Sequence, residues 1–295
     1  MIIDQAETLR TISFPPPVPE TSSDVLRSSR HGRCIAITGG KGGVGKSNLS
    51  VNLAIELGQL GNEVGLLDAD FALANADLLC GVMPKFHLGH VVAGLRTLDE
   101  ITIGIADNVS LIPGGSGVEE LANFSLASKP NAFSQVRAME ERLDFMLVDT
   151  AAGIAENVSS VLLSASEVII VVTPEPTSIV DAYATIKVIL RRSPSKPISI
   201  VINNNIGVGD AEQGFQSINA AARGFLKSEV AFLGMIPHDM QVQTAIREQV
   251  PVVTYAPESA ASRAIRLIAK QLHKQPKANS GSTQIAAFWT QLAKD

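Results

Sequence analysis

The sequence predicts an α/β fold with a doubly wound, mostly parallel sheet and helices on both faces. Short aliphatic runs alternate with helical stretches along most of the chain, which is typical of successive βαβ units. Hydrophobic residues make up 45% of the 295 residues but aromatic residues only 4%. A core built mainly from Ala, Val, Ile and Leu suits parallel strands that are buried on both faces.

The predicted strands and helices follow one another in a regular order. The strands are RCIAIT (33–38), EVGLLD (63–68), VSLIP (109–113), FMLVD (145–149), EVIIVV (167–172), ISIVIN (198–203) and AFLGMIP (231–237). The clearest helices between and after them cover residues 46–60, 177–192, 211–227 and 258–273. This alternation predicts a single α/β core over residues 32–273.

Both flanks of this core differ from it in composition. Residues 11–31 contain three consecutive prolines and no apolar periodicity, and KQPKANSGST (274–283) is similarly polar, so both are predicted to be linkers. The first linker separates residues 1–10 from the core, and the second separates residues 284–295. The sequence therefore predicts one core with a tethered segment on each side.

Composition excludes several classes of protein. The longest purely aliphatic run, VIIVV (168–172), is far too short to span a membrane, and no secretory signal is evident. Cys34 and Cys80 lie far apart, without metal or redox spacing. We therefore expect a cytoplasmic protein. A net charge of −5 argues against general nucleic-acid binding. The basic excess after residue 240 fits either a solvated face or attraction to an anionic membrane or nucleic acid.

A glycine-rich loop follows the first strand and opens the first helix. The segment GGKGGVGKSN (39–48) satisfies the pattern G-x-x-x-x-G-K-(S/T). Its glycines allow successive backbone N–H groups to face phosphate oxygens, and the helix N-terminus adds positive potential. Lys46 is predicted to reach the β- and γ-phosphates and the Ser47 hydroxyl to bind Mg²⁺. The predicted nucleotide-binding residues here are Gly40, Gly42, Gly43, Val44, Gly45, Lys46, Ser47 and Asn48.

A second lysine, Lys41, lies inside this loop, where phosphate binding within one subunit does not need it. The form K-G-G-x-G-K-(S/T) resembles the deviant Walker A box of the MinD/ParA ATPases. The resemblance implies a P-loop NTPase fold and hydrolysis of ATP. It also implies a homodimer with ATP, in which Lys41 of each subunit contacts the phosphates of the other. Lys41 and Lys46 are then both catalytic residues.

Carboxylates at two predicted strand ends extend this resemblance. In LLDAD (66–70) it implies that Asp70 orients the attacking water and that Asp68 lies near the Mg²⁺ shell. Asp149 ends the strand FMLVD, where an acid can hold Mg²⁺ through water. The predicted metal-binding residues are Ser47, Asp68 and Asp149.

Adenine recognition has a weaker sequence signal. The resemblance places Asn203 and the backbone near Pro237 and Asp239 around the base, but three consecutive asparagines, 203–205, leave the register open. The sequence has no N-K-x-D box of the kind expected in a guanine-binding protein, which favours ATP.

Two further segments resemble the FlhG flagellar regulators within this family. VTPEPTSIVDAYATIKVI (172–189) is similar to their D-E-P-T-S-I-T-D-A-Y-A-x-I-K segment, and DQAETLR (4–10) matches their D-Q-A-x-x-L-R motif. The resemblance implies control of flagellar number and placement, with Gln5, Leu9 and Arg10 stimulating the GTPase FlhF. A flagellar transcription activator or a flagellar switch component is a further expected partner. A partition or division-site ATPase, and a non-catalytic, ATP-sensing antagonist of a transcription activator, remain alternatives.

The segment TQIAAFWTQLAKD (283–295) predicts an amphipathic helix. Ile285, Phe288, Trp289 and Leu292 have the spacing i, i+3, i+4 and i+7, which places them on one face. The family resemblance implies that this face binds the inner surface of the cytoplasmic membrane when ATP forms the dimer. Packing against the chain's own core or a partner remains the alternative.

Overall fold

The computed structural model describes residues 32–71, 73–115, 139, 142–275, 285 and 287–289. The strands are β1 Arg33–Thr38, β2 Val64–Ala69, β3 Ile103–Ala106, β4 Val109–Ile112, β5 Phe145–Thr150, β6 Glu167–Val172, β7 Ile198–Asn205 and β8 Ala231–Pro237. The helices are α1 Lys46–Gln59, α2 Ala76–Leu79, α3 Leu88–Val92, α4 Leu98–Ile101, α5 Glu156–Ser164, α6 Pro176–Arg192, α7 Val208–Ala221, α8 Met240–Arg247, α9 Val252–Tyr255 and α10 Ala260–Lys274. A π-helical turn, Ala222–Leu226, follows α7.

These strands form one sheet in the order β3-β4-β2-β5-β1-β6-β7-β8. All neighbouring pairs are parallel except β3 and β4, which form an antiparallel hairpin at one edge. The predicted α/β fold is confirmed. Strand β3, which is only four residues long, was not predicted from the sequence. Its turn includes Asn108 in the left-handed region at φ 59°.

The sheet is covered on both faces by apolar helices. On one face α1 and α10 pack together, burying Leu53, Leu57 and Ile268. On the other face, Leu162 of α5 and Ile186 of α6 belong to a second buried cluster. Strands β1 and β5 lie in the centre and are buried along their whole length. The carboxyl ends of these central strands form the edge where open α/β sheets bind ligands.

The C-terminal residues that the structure describes pack on this core. Residues 285 and 287–289 are helical, and Ile285, Phe288 and Trp289 are fully buried within the cluster that contains Leu143 and Ala165. Three of the four side chains predicted to contact a membrane therefore face the protein interior in this structure. Leu292, the fourth, lies outside the described residues. Membrane contact by these side chains requires release from the core.

Candidate functional site

The phosphate-binding loop joins the end of β1 to the start of α1. Gly45 forms the N-cap of α1 at φ 94°, a conformation that glycine adopts without steric penalty. A Cβ atom on Gly45 would also collide with the side-chain amide of Asn203, and one on Gly40 would collide with Asp181 of α6. The fold around this loop therefore requires glycine at both positions.

Three asparagines at the end of β7 make different contacts. The Asn203 side-chain amide donates to the Val44 carbonyl in the loop at 2.8 Å. Asn204 has φ 58°, and its Oδ1 lies 2.7 Å from Nδ1 of His238. Asn205 donates to the Gly207 carbonyl at 3.0 Å. Only Asn203 therefore joins β7 to the phosphate-binding loop among these three.

A cavity of about 190 Å³ lies beside the phosphate-binding loop. The three predicted adenine-site residues, Asn203, Pro237 and Asp239, all line it, together with Asn204 and His238. Its position next to the loop and the start of α1 suits the base and sugar of a nucleotide. Tertiary structure therefore brings the predicted adenine and phosphate residues into one site.

The carboxylate of Asp239 has a framework role in this structure. Its Oδ1 accepts from the Gln241 N–H at 2.9 Å, and its Oδ2 accepts from the Ala261 N–H at 3.0 Å. Burial acts to raise the pKa of Asp239, but these backbone donors outweigh it, so the pKa is lowered. The carboxylate thereby holds the first turns of α8 and α10 beside the cavity.

Asp68 and Asp149 lie side by side on neighbouring strands, because they are register partners in the pairing of β2 with β5. The Ser50 hydroxyl donates to Asp149 Oδ1 at 3.0 Å. Asp68 accepts backbone N–H groups from Asn75 and Ala76, each at 3.0 Å. Two buried carboxylates therefore meet at the end of the sheet that carries the phosphate-binding loop.

Burial of this pair disfavours its negative charge. Burial, together with the nearby Asp149 carboxylate, raises the pKa of Asp68 to about 7. Burial also raises the pKa of Asp149 to about 6, against hydrogen bonds from Ser47 and Ser50. Asp149 Oδ2 is buried and has no hydrogen-bond partner within the described part of the chain.

These features fit a divalent cation. Ser47, Asp68 and Asp149 offer the oxygen ligands that Mg²⁺ prefers, and a cation would relieve the repulsion between the carboxylates. When bound, Mg²⁺ would neutralise charge on the nucleotide phosphates.

Asp70 lies at the outer side of this acidic pair. Its Oδ1 accepts the Leu73 N–H at 3.1 Å, in a partly exposed turn after β2. Its negative charge contributes to the raised pKa of both Asp68 and Asp149. The carboxylate is therefore close to the predicted metal site but more accessible than its two neighbours, as a group that positions water must be.

The two lysines of the loop have different environments. Lys46 is buried at 8% exposure, and its positive charge acts on Asp149. Lys41 is more exposed, and its ammonium group donates to Glu175 at 2.8 Å and to Thr177 at 3.3 Å. Lys46 therefore belongs to the interior of the site, whereas Lys41 lies on its rim.

Some of these contacts were not predicted from the sequence. Ser50 lies one helical turn after Ser47 on α1, and this spacing could have indicated it. Glu175 and Thr177 approach Lys41 from the start of α6, more than 130 residues away along the chain. No local pattern connects such distant positions. The predicted partner-binding residues Gln5, Leu9 and Arg10 lie outside the described residues.

Comparisons with known proteins show the family of this chain. Residues 32–200 match the family model described as "AAA domain", and residues 131–273 match "NUBPL iron-transfer P-loop NTPase". The antiactivator FleN of Pseudomonas aeruginosa is 37% identical over 242 residues, covering 82% of this chain and 86% of FleN. This chain is a MinD/ParA-type P-loop ATPase. The flagellum site-determining protein YlxH of Helicobacter pylori is also 37% identical, covering 80% of each chain.

Solved structures of this ATPase family share the fold. The septum site-determining protein MinD of Pyrococcus horikoshii, complexed with Mg-ADP, superposes with a TM-score of 0.68 at 26% identity, covering 82% of this chain and 96% of that one. Like those relatives, this ATPase carries a nucleotide-binding P-loop. Across the described residues, no helix is both long enough and apolar enough to cross a bilayer.

Proposed function

We propose that this ATPase is a dimerising switch that controls flagellar number and placement. Two relatives at 37% identity carry the names antiactivator FleN and flagellum site-determining protein YlxH. MinD of Synechocystis, a septum site-determining protein, is less similar at 29% identity. The flagellar relatives therefore support a flagellar role over a division-site role. ATP and Mg²⁺ are the proposed ligands.

The observation that carries the switch proposal is the position of Lys41. Its ammonium group is held by Glu175 at 2.8 Å, on the rim of the site, and its side chain keeps 34% exposure. Lys46 occupies the buried position that suits the nucleotide of the same subunit. A rim lysine can meet the phosphates of a second subunit that covers the site. ATP would then join two chains, and hydrolysis would separate them.

The buried C-terminal side chains support a second part of the proposal. Trp289 is 1% exposed, yet its Nε1 has no acceptor within the described residues. In general, a buried N–H group without an acceptor costs about 1–3 kcal/mol, so packing that leaves one unpaired is weaker than packing that pairs it. We infer that the ATP-bound dimer releases the segment to the cytoplasmic membrane surface. Two released helices on one dimer bind more tightly than one, through effective concentration.

Trp289 is the only tryptophan in the chain, so its fluorescence tests this switch. A non-hydrolysable ATP analogue is expected to increase acrylamide quenching of Trp289, because the side chain leaves the core. With brominated-lipid vesicles, the analogue should instead produce quenching by lipid. ADP should leave Trp289 protected in both assays, and Lys41→Ala should behave like the ADP state. Equal quenching with ADP and the analogue would contradict release by dimerisation.

The motif DQAETLR is proposed to stimulate the GTPase FlhF. Gln5 can orient an attacking water, Leu9 can anchor an amphipathic turn, and Arg10 can meet a phosphate or carboxylate. Residues 11–31 contain three consecutive prolines and are proposed to act as a linker; proline-rich linkers span about 3.1 Å per residue when extended. The motif can therefore act in a partner's active site independently of the core.

A peptide of residues 1–12 is expected to accelerate GTP hydrolysis by a cognate FlhF without any ATP. Gln5→Ala should remove most of this effect, because it removes the water-orienting amide. Glu7→Ala provides a matched control at a position that the motif leaves variable. Stimulation by the full chain but not by the peptide would assign the effect to the core instead.

The name antiactivator supports a second candidate function. FleN at 37% identity is described by that word, so this chain is also a candidate antagonist of a flagellar transcription activator. In that role ATP binding selects the active form, and turnover is incidental. Variants that bind ATP but do not hydrolyse it separate the two candidates.

A further inference from the structure

The outer edge of β8 is free in the described part of the structure. The sheet order ends at β8, which pairs with β7 along its other edge. Its sequence, AFLGMIP, has no charged side chain, although natural edge strands are commonly blunted by charges. Alternate backbone N–H and C=O groups of β8 can therefore pair with a further strand.

A groove of about 660 Å³ runs along this edge. One wall is a face of α10 that includes Leu267, and the other is the β7–α7 loop with Ile206 and Val208. Leu267, Ile206 and Val208 are 67%, 92% and 55% exposed, whereas Leu233 and Ile268 of the lining are buried. We call this site the β8 groove. Contiguous exposed apolar surface of this kind marks interaction sites.

The polar groups of the β8 groove indicate the charge of its occupant. Its lining includes Arg263 and no carboxylate. The Arg263 guanidinium donates to the Glu258 carbonyl, and among the described residues it forms no ion pair. A guanidinium has five N–H donors, so donors remain for a ligand. An acidic side chain is the complementary group.

We propose that the β8 groove binds an extended segment of a partner protein as an added ninth strand. The segment has apolar side chains at alternate positions and an acidic side chain that faces Arg263. A helix in the groove would leave the edge groups of β8 without partners, whereas a strand satisfies them and fills the apolar walls. The seven residues of β8 offer about 23 Å of edge at roughly 3.3 Å per residue.

The β8 groove does not include the phosphate-binding loop that carries Lys41. None of the loop residues 39–48 lines the β8 groove. It adjoins the nucleotide cavity at Pro237, which lines both. A partner segment can therefore bind while nucleotide is present, and its binding does not depend on Lys41.

Selection of peptides from a random dodecapeptide phage library tests the proposal. The full chain with Mg-ADP is the target, and the Leu267→Glu variant is used for counter-selection. Enriched peptides are expected to alternate apolar residues and to carry Asp or Glu. Leu267→Glu and Ile206→Glu should each lower the affinity for a selected peptide by about 10-fold or more, because apolar burial is lost. Arg263→Glu should lower the affinity for acidic peptides. Met83→Glu, at a residue that is 93% exposed and lies outside the groove, should leave the affinity unchanged.

Hydrogen exchange distinguishes an added strand from other modes of binding. A selected peptide should slow exchange of alternate amides between Phe232 and Met235. The proposal would be overturned if no peptide bound the wild-type chain in preference to the Leu267→Glu variant. It would also be overturned if bound peptides left amide hydrogen exchange in β8 unchanged. A nucleotide-independent dimer that Leu267→Glu disrupts would assign the groove to a second copy instead. Slow exchange of these amides in the peptide-free chain would show that the edge is already covered.

Discussion

Lys41→Ala is expected to bind ATP and ADP normally but to lose ATP-dependent dimerisation and hydrolysis. The Lys41 ammonium group contacts Glu175 and Thr177 on the rim of the site, so its removal leaves the phosphate loop of its own subunit intact. A cation supplied to phosphates from a second subunit typically contributes 10³–10⁵-fold in rate. We therefore expect hydrolysis to fall by about 10³-fold or more.

Lys46→Ala should instead weaken nucleotide binding itself, because Lys46 is buried inside the site near Asp149. Charge-assisted hydrogen bonds contribute roughly 1.5–3 kcal/mol, so nucleotide affinity should fall by about 10- to 100-fold. Isothermal titration measures affinity, and sedimentation with a non-hydrolysable ATP analogue measures dimerisation. Lys270→Ala, an exposed lysine on α10, is the control. If the Lys41→Ala chain dimerises and hydrolyses ATP normally, Lys41 does not contact the phosphates of the second subunit as proposed.

Asp70→Ala is expected to bind ATP, to dimerise and to remain dimeric. The substitution removes the group proposed to orient the attacking water but leaves Lys46, Ser47 and Asp149 unchanged. Loss of such a group lowers the rate by roughly 10²-fold or more. Single-turnover kinetics measure the rate of hydrolysis, and sedimentation in the presence of ATP measures whether the dimer persists.

The turn after β2 needs its own control, because Asp70 Oδ1 also accepts the Leu73 N–H. Asp70→Asn retains an acceptor there while removing the charge, so this variant should remain an ATP-bound dimer, as Asp70→Ala does. Wild-type hydrolysis by either variant would move the role to another residue. In cells, a trapped dimer that leaves flagellation unchanged would favour the antiactivator function without turnover.

The fold class and the phosphate-binding loop were predictable because their signals are local. A strand, a glycine-rich turn and a helix start follow one another within residues 33–48, and backbone sterics alone require glycine at Gly45. Most predicted strands agree with the structure to within one or two residues. The weak edge strand β3 was missed, since four half-exposed residues carry little periodic signal.

Tertiary structure decided which residues meet. Parallel pairing of β2 with β5 places Asp68 beside Asp149, and burial of this pair raises both pKa values. Packing of α6 on the loop supplies Glu175 to Lys41, and the end of β7 supplies Asn203 to Val44. These residues are separated by many tens of positions in the chain, so sequence patterns can suggest their chemistry but not their contacts.

The C-terminal segment is the clearest case in which sequence patterns predict a feature but tertiary packing sets its contacts. Sequence spacing alone predicts one apolar face with Ile285, Phe288 and Trp289, because helical periodicity aligns them. The same face suits a membrane or a protein core equally, since both remove apolar surface from water. The fold places this face in the protein interior, because the three side chains join a buried apolar cluster that includes Leu143 and Ala165.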